Sequence, residues 1–230
     1  MEVSKRINFI IENLDVVETL ADIGTDHGYV PLLALEKGLC KKAIACDINK
    51  EPLDKAKLNA ILEGIDDELD FRLGGGFEPL NVGEADQVVI AGMGGYLIRD
   101  ILEEGKEKVK ECSSIILVPA QNPEVLREYL YTNAYEVIKE DLCEDEGLYY
   151  EMFKVKKSEE AGVALDSIYY EVSPMLLRQK HPLMKEYLQY KIEDYNKILG
   201  FITESTVTAN KRREDIKEKI NIITSMLNYL

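Results

Sequence analysis

Thr19-Leu20-Ala21-Asp22-Ile23-Gly24-Thr25-Asp26-His27-Gly28-Tyr29 is the stretch on which the fold turns. Residues 19–24 form a short apolar run of the kind that fills a strand covered on both faces. Gly24 and Gly28 then allow a tight turn and a close approach of backbone to a ligand, and a helical pattern follows from Tyr29 to Lys37. Strand, glycine loop and helix together make the opening of a βαβ unit.

The same alternation continues on either side. Further strands are predicted at 42–48, 69–74, 87–92, 114–120, 135–143 and 148–157, with helices at 3–14, 52–64, 95–103 and 123–132 between them. Pro52 and Pro123 suit first-turn positions, where a missing N–H leaves nothing unpaired. Only residues 144–147 separate the last two strands, which therefore form an antiparallel hairpin. The expectation is an α/β fold, a seven-stranded and mostly parallel sheet with the hairpin at one end. A linker is expected near 158–162, so that 1–157 form one domain and 162–230 another. In the second, Met184, Leu188, Ile192, Tyr195, Leu199 and Ile202 keep a helical spacing, and Ile216, Ile220, Ile223, Leu227 and Leu230 step as a heptad seam. Two long helices joined near 203–210 should pair as a hairpin, and a monomer is expected rather than a stable oligomer.

Composition narrows the classes. In 230 residues, 46% are apolar, enough for a packed core. The longest apolar runs, such as 115–120, fall far short of the ~20 residues that cross a bilayer, and the charged, amphipathic start is unlike a signal segment. Cys40, Cys46, Cys112 and Cys143 lie far apart and only two histidines accompany them, so reduced thiols, a cytoplasmic setting and no metal are expected. The net charge of -15 argues against nucleic acid as a partner of the whole surface, but residues 1–161 hold 18 basic and 34 acidic side chains, whereas 162–230 hold 10 and 9.

In an open parallel sheet ligands bind beyond the carboxyl ends of the strands, so the loops there carry the chemistry. Asp26 occupies the place where a dinucleotide-binding loop needs glycine beside a pyrophosphate, and a carboxylate there repels phosphate. S-adenosylmethionine carries an ammonium and a sulfonium instead, which Asp22 and Asp26 would favour. Asp47 ends the second strand 23 residues after Gly24, where a carboxylate can take both ribose hydroxyls or simply turn the chain; Ile48 follows it. Gly74 and Gly75 leave room for a flat adenine, and Ala91-Gly92-Met93-Gly94 bring the fourth strand's loop to the reacting centre, with Met93 free to pack on that adenine.

DIGTDHGYVP (22–31), ACDIN (45–49), RLGGG (72–76), VIAGMGGYLI (89–98), EGLYYEMF (146–153) and the tail run YEVSPMLLRQKHPLMKEYL together resemble the bacterial tRNA (adenine-22-N1)-methyltransferase family, the TrmK type, over nearly the whole chain. The resemblance implies a Rossmann-like class I methyltransferase domain followed by a helical coiled-coil domain. It also implies methyl transfer from S-adenosylmethionine to adenine N1 in the D-arm of tRNA. The chain departs from the family pattern at Gly75, where an Asp or Asn is usual, and across Ala120-Gln121-Asn122-Pro123.

For that reaction Asp26 is the candidate to balance charge on the adenine or accept from its amino group. His27 and Tyr29 are candidates for orientation and stacking, or for a loop hydrogen bond and an apolar contact respectively; His27 also falls in the cofactor loop. In the tail, Arg178, Lys180, Lys185, Lys211, Arg212 and Arg213 are the candidate phosphate contacts, or else a solvated face paired with Glu214, Asp215 and Glu218. A methyltransferase with another acceptor, or a silent binding module, would share the cofactor loops.

Overall fold

The structure, a computed structural model, describes residues 3–230, which divide after Leu165 into two compact units. The first is built on strands β1 (Thr19–Ile23), β2 (Lys42–Asp47), β3 (Leu69–Leu73), β4 (Gln87–Ala91), β5 (Ser114–Val118), β6 (Tyr135–Asp145) and β7 (Leu148–Lys157). They lie in the order β3-β2-β1-β4-β5-β7-β6, with β1 to β5 mutually parallel and β7 antiparallel to both β5 and β6. This is the Rossmann-like sheet with a terminal hairpin. The hairpin is tighter than expected: β6 continues to Asp145, leaving Glu146 and Gly147 at φ 53° and 79° as a two-residue turn. Positive φ at both positions matches the right-handed twist of the paired strands.

Both faces are buried, which explains the unbroken apolar runs. Ala21, Ile23, Val88, Ile90, Ile115 and Leu117 face helices α4 (Gly95–Glu104) and α6 (Pro123–Thr132) through Ile98, Ile101, Leu102, Leu126 and Leu130. Leu20, Ala43, Ala45, Val89, Ile116 and Val118 face α1 (Lys5–Glu12), α2 (Tyr29–Glu36) and α3 (Lys50–Glu63) through Phe9, Ile10, Leu32, Leu33, Leu53 and Ala60. Each Val, Leu, Ile or Phe among them contributes about 1.5–3 kcal/mol on burial, and the alanines less. Ser4 caps α1 by accepting from the Ile7 N–H, and α3 stops at Gly64, whose φ of 72° a side chain would resist. A short helix α5 (Lys106–Val109) follows α4, and was too short to predict.

The segment expected to be a linker is held on the first unit. The Ser158 N–H donates to the Ala134 carbonyl and the Val163 N–H to Tyr131. The second unit holds two short helices that the periodicity missed, α7 (Ile168–Glu171) and α8 (Pro174–Arg178), and two long ones, α9 (Met184–Phe201) and α10 (Val207–Tyr229). Ile216 and Ile223 of the seam are buried, and Thr206 caps α10 by accepting from the Ala209 N–H. Among the described residues no helix is long and apolar enough to cross a membrane, and no cluster of His, Cys, Asp and Glu could hold a metal ion.

Candidate active site

The chain leaves β1 for β2 and β3 on one side and reaches β4 and β5 on the other, so the topological switch point lies between β1 and β4. That is where a crevice opens in such sheets. Two cavities meet there, of about 710 Å³ and 590 Å³, and Gly24, Asp47 and Met93 belong to the walls of both.

The β1 loop is shaped by backbone. The Gly24 and Thr25 N–H groups donate to the Cys46 carbonyl at 2.8 and 2.9 Å, and Gly24 has φ 80°. A Cβ on Gly24 would sit 2.1 Å from Met93 Cε, so the methionine lies against that glycine rather than free over the far loop. Gly28, at φ 71°, packs where a Cβ would meet Ala56 Cβ at 2.9 Å. Between them His27 adopts φ 56°, and its carbonyl accepts from Asn59 Nδ2 of α3 at 2.9 Å. The His27 ring stacks on Tyr29 with centroids 5.4 Å apart and planes 10° from parallel, and its Nε2 lies 3.4 Å from Asp26 Oδ1. The Asp26 side chain is 81% exposed at the mouth of the smaller cavity. The His27 backbone thus stabilises the loop, and its ring is paired with Tyr29.

Asp22 differs from Asp26 because alternation along β1 turns it inward with Leu20. It is buried, and desolvation, with the nearby charges of Asp47 and Asp26, pushes its carboxyl up to about 6. A cation arriving beside Asp22 relieves that cost. Asp47 at the end of β2 accepts the Asn49 N–H on Oδ1 at 2.7 Å, which is the turn role, and leaves Oδ2 for a ligand; its carbonyl takes the Gly74 N–H at 3.0 Å.

The larger cavity has apolar walls. Ile48 and Leu97 are 68% and 51% exposed along it and offer an apolar surface that a flat ligand would cover. Gly74, Gly75 and Gly76 line one edge, and Lys108 Nζ donates to the Phe77 carbonyl at 2.8 Å and so holds the loop. A Cβ on Gly75 would lie 3.3 Å from Ile48 Cγ2, so a larger residue there would crowd this wall.

The β4 loop is braced by the segment after β5. The Ala120 N–H donates to the Met93 carbonyl at 2.8 Å and the Gly95 N–H to the Gln121 carbonyl at 2.7 Å. Gly95 is obligatory, since a Cβ would stand 2.1 Å from the Asn122 carbonyl oxygen. Gly92 and Gly94 have open space where a Cβ would be, and Ala91 and Gly92 line the smaller cavity. The structure therefore gathers Asp22, Gly24, Asp26, Asp47, Ala91, Gly92, Met93, Ile48, Gly74 and Gly75 around one crevice, with Tyr29 on the smaller cavity. His27 stands beside it and Gly94 heads α4.

This chain matches the sequence pattern of the tRNA (adenine(22)-N(1))-methyltransferase family, TrmK, over residues 20–225. It belongs to that family. It is 29% identical over 235 residues to the tRNA (adenine(22)-N(1))-methyltransferase of Bacillus subtilis, across 100% of this chain and 98% of that protein. Among solved structures it resembles Streptococcus pneumoniae Sp1610 in complex with S-adenosyl-L-methionine, at TM-score 0.86 and 27% identity over 98% of this chain and 100% of that one. It also resembles M. capricolum TrmK in complex with S-adenosyl-homocysteine, at TM-score 0.82 and 26% identity, each chain covered to 99%.

For a TrmK-family chain the tail candidates divide. Arg178, Lys180, Lys185, Lys211 and Arg212 are exposed. Arg213 is engaged: its guanidinium donates to the Ile202 carbonyl at 2.9 Å, to the Glu204 carbonyl and to Asn210 Oδ1, and so ties down the α9–α10 connection. Lys219 likewise pairs with Glu171, whose carboxyl, half-buried yet held below its usual range by Lys219, Lys191 and Tyr195, anchors the helices of this unit. The sequence reading missed α1 as a wall of the site. Ser4, Arg6, Ile7 and Ile10 line the smaller cavity, and nothing in an amphipathic pattern says which strand ends a leading helix will cover.

Proposed function

We propose that this protein transfers the methyl group of S-adenosylmethionine to N1 of adenine 22 of tRNA. The observation that carries the reading is the divided crevice at the β1–β4 switch point, in a chain of the TrmK family. The larger cavity suits an adenosine, with Ile48 and Leu97 against its faces, the glycines at 74–76 along its edge and Asp47 Oδ2 at the ribose. The smaller one suits the reacting end, with Asp22 and Asp26 attracting its cations. When bound, the donor supplies an electrophilic methyl on a sulfonium.

Neutral adenine N1 already has a lone pair, so no side chain need remove a proton before attack. The protein's part is placement, with the base in line with the methyl and water excluded. As the N–C bond forms and the S–C bond breaks, positive charge leaves sulfur and appears on the adenine. Asp26 is positioned to offset it from the mouth of the cavity, and the His27–Tyr29 pair offers a flat surface for the extruded base. Domain 1–157 is the methyltransferase part in this reading, and 162–230 presents Arg178, Lys180, Lys185, Lys211 and Arg212 to tRNA phosphates.

The test is transfer of labelled methyl to an unmodified tRNA transcript, followed by nucleoside mass spectrometry. N1-methyladenosine that disappears when adenine 22 is replaced is the expected result. Methyl transfer that survives the replacement, or none despite donor binding, would refute the reading.

A further inference from the structure

Two large apolar side chains stand uncovered at the turn between α9 and α10. Phe201 closes α9 and Val207 opens α10, and they are 84% and 87% exposed, more than any other large apolar side chain among the described residues. Pairing of the helices does not account for them. Both stand outside the apolar spacing of Tyr195 and Leu199 on α9 and of Ile216, Ile220 and Ile223 on α10. The turn that carries them is held in shape by Arg213, whose guanidinium donates to the Ile202 carbonyl at 2.9 Å, to the Glu204 carbonyl and to Asn210 Oδ1 at 2.6 Å. Little conformational freedom is left to lose when a partner docks there.

Each of the two has a cation one helical turn away on its own face: Lys197 four residues before Phe201, and Lys211 four after Val207. Lys197, Lys211 and Arg212 are exposed and make no ion pair among the described residues. Residues 195–213 carry four cations against one carboxylate, Glu204, in a chain whose net charge is -15. An apolar partner would answer the two side chains and leave the cations idle. A polynucleotide answers both, because a base stacks on an aromatic ring while its flanking phosphates meet Lys and Arg. In a folded RNA only an unpaired base can be splayed out to offer its face in this way.

We propose that the α9–α10 tip is a nucleobase-stacking site: Phe201 carries an unpaired base of the tRNA other than the methyl acceptor, and Lys197 and Lys211 meet the phosphates beside it. This rests on the tRNA reading above and adds to it a contact made to a base as well as to charge.

Phe201→Ala, Phe201→Leu and Phe201→Trp test this through tRNA binding measured over a range of salt. The alanine variant is expected to bind tRNA about 5- to 100-fold more weakly, the range for losing one stacked base. Its dependence of log affinity on log salt should keep the wild-type slope, since stacking releases no counterions, whereas Lys211→Ala should flatten that slope. Phe201→Trp should restore binding and Phe201→Leu should not. Donor affinity, melting temperature and kcat at saturating tRNA should match wild type, so that the whole effect falls on KM. Wild-type tRNA affinity in the alanine variant overturns the assignment and gives the tip to a protein partner. Full binding by Phe201→Leu overturns it too, because an apolar contact then suffices, and so does a lowered melting temperature in the alanine variant, which marks a structural side chain. If the wild-type protein binds donor but no tRNA, the tRNA reading falls and this site with it; if wild type methylates adenine 22 while the alanine variant binds equally well, this site alone falls.

Discussion

Two aspartates four positions apart have opposite environments, and their chemistry follows from that. Asp26, 81% exposed, presents its side chain to a substrate that approaches from solvent. Its replacement by alanine should lower kcat for tRNA methylation at saturating donor about 10- to 100-fold, the range for losing one electrostatic stabiliser, and should weaken donor binding as well, since Asp26 also faces the donor's cations. Unchanged kcat would remove it from the mechanism. Asp22 is buried with its carboxyl at about 6, above its ordinary value of 3.8. The folded state therefore holds this proton more tightly than the unfolded chain, and Asp22 erodes stability as pH rises from about 4 to 6. A bound cation favours the ionised form, so donor affinity should rise over pH 5–7 as the proton no longer has to be displaced. Titration calorimetry across that range checks it, and Asp22→Asn should flatten the profile.

At the scale of elements, the loops hold their shape because neighbouring elements leave no alternative. Gly95→Ala would drive a Cβ to 2.1 Å from the Asn122 carbonyl, so α4 must shift and the 91–94 loop with it. Donor affinity should fall along with the melting temperature, whereas Gly83→Ala, at a surface turn with nothing within 4 Å, tests a strained φ of 71° alone. Comparing the two by thermal melts and donor titration separates loop placement from backbone strain. In the tail the engaged Arg213 and the exposed pair beside it call for different variants. Lys211→Glu with Arg212→Glu should weaken tRNA binding at low salt and leave donor binding alone, while Arg213→Ala should loosen the 202–204 connection first, visible as a lower melting temperature. Equal tRNA affinity in the double variant would end the phosphate assignment.

Across the sheet unit as a whole, the hairpin is locked to α6 by buried charge. Arg127 of α6 is fully buried, donates to Glu140 Oε2 of β6 at 2.9 and 2.7 Å and to Glu151 of β7, and lies 4.8 Å over the Phe153 ring, while the Tyr131 hydroxyl donates to Glu140 Oε1. Arg127→Met would strand two carboxylates in the core at a cost of about 3–5 kcal/mol, read from urea unfolding. Adding Glu140→Leu and Glu151→Met should recover most of it, because the desolvation cost disappears with the charges. A loss below 1 kcal/mol in the single variant would show that these carboxylates reach water.

Sequence alone determined the strands, the loops that follow them and the helical tail. A strand covered on both faces is apolar throughout, glycine is favoured where backbone turns to positive φ, and a helix pair repeats its apolar seam; each of these constraints acts over neighbouring residues and is written locally. Tertiary structure decided the rest. The sheet order that puts β1 beside β4, the burial that separates Asp22 from Asp26, Arg6 reaching a cavity formed by strands far along the chain, Arg127 between Glu140 and Glu151, and Arg213 bound to the α9–α10 connection all depend on contacts between distant residues. A charged side chain looks the same in the sequence whether it faces solvent, a ligand or a buried partner, because only the packed chain sets the dielectric and the neighbours that decide what its charge does.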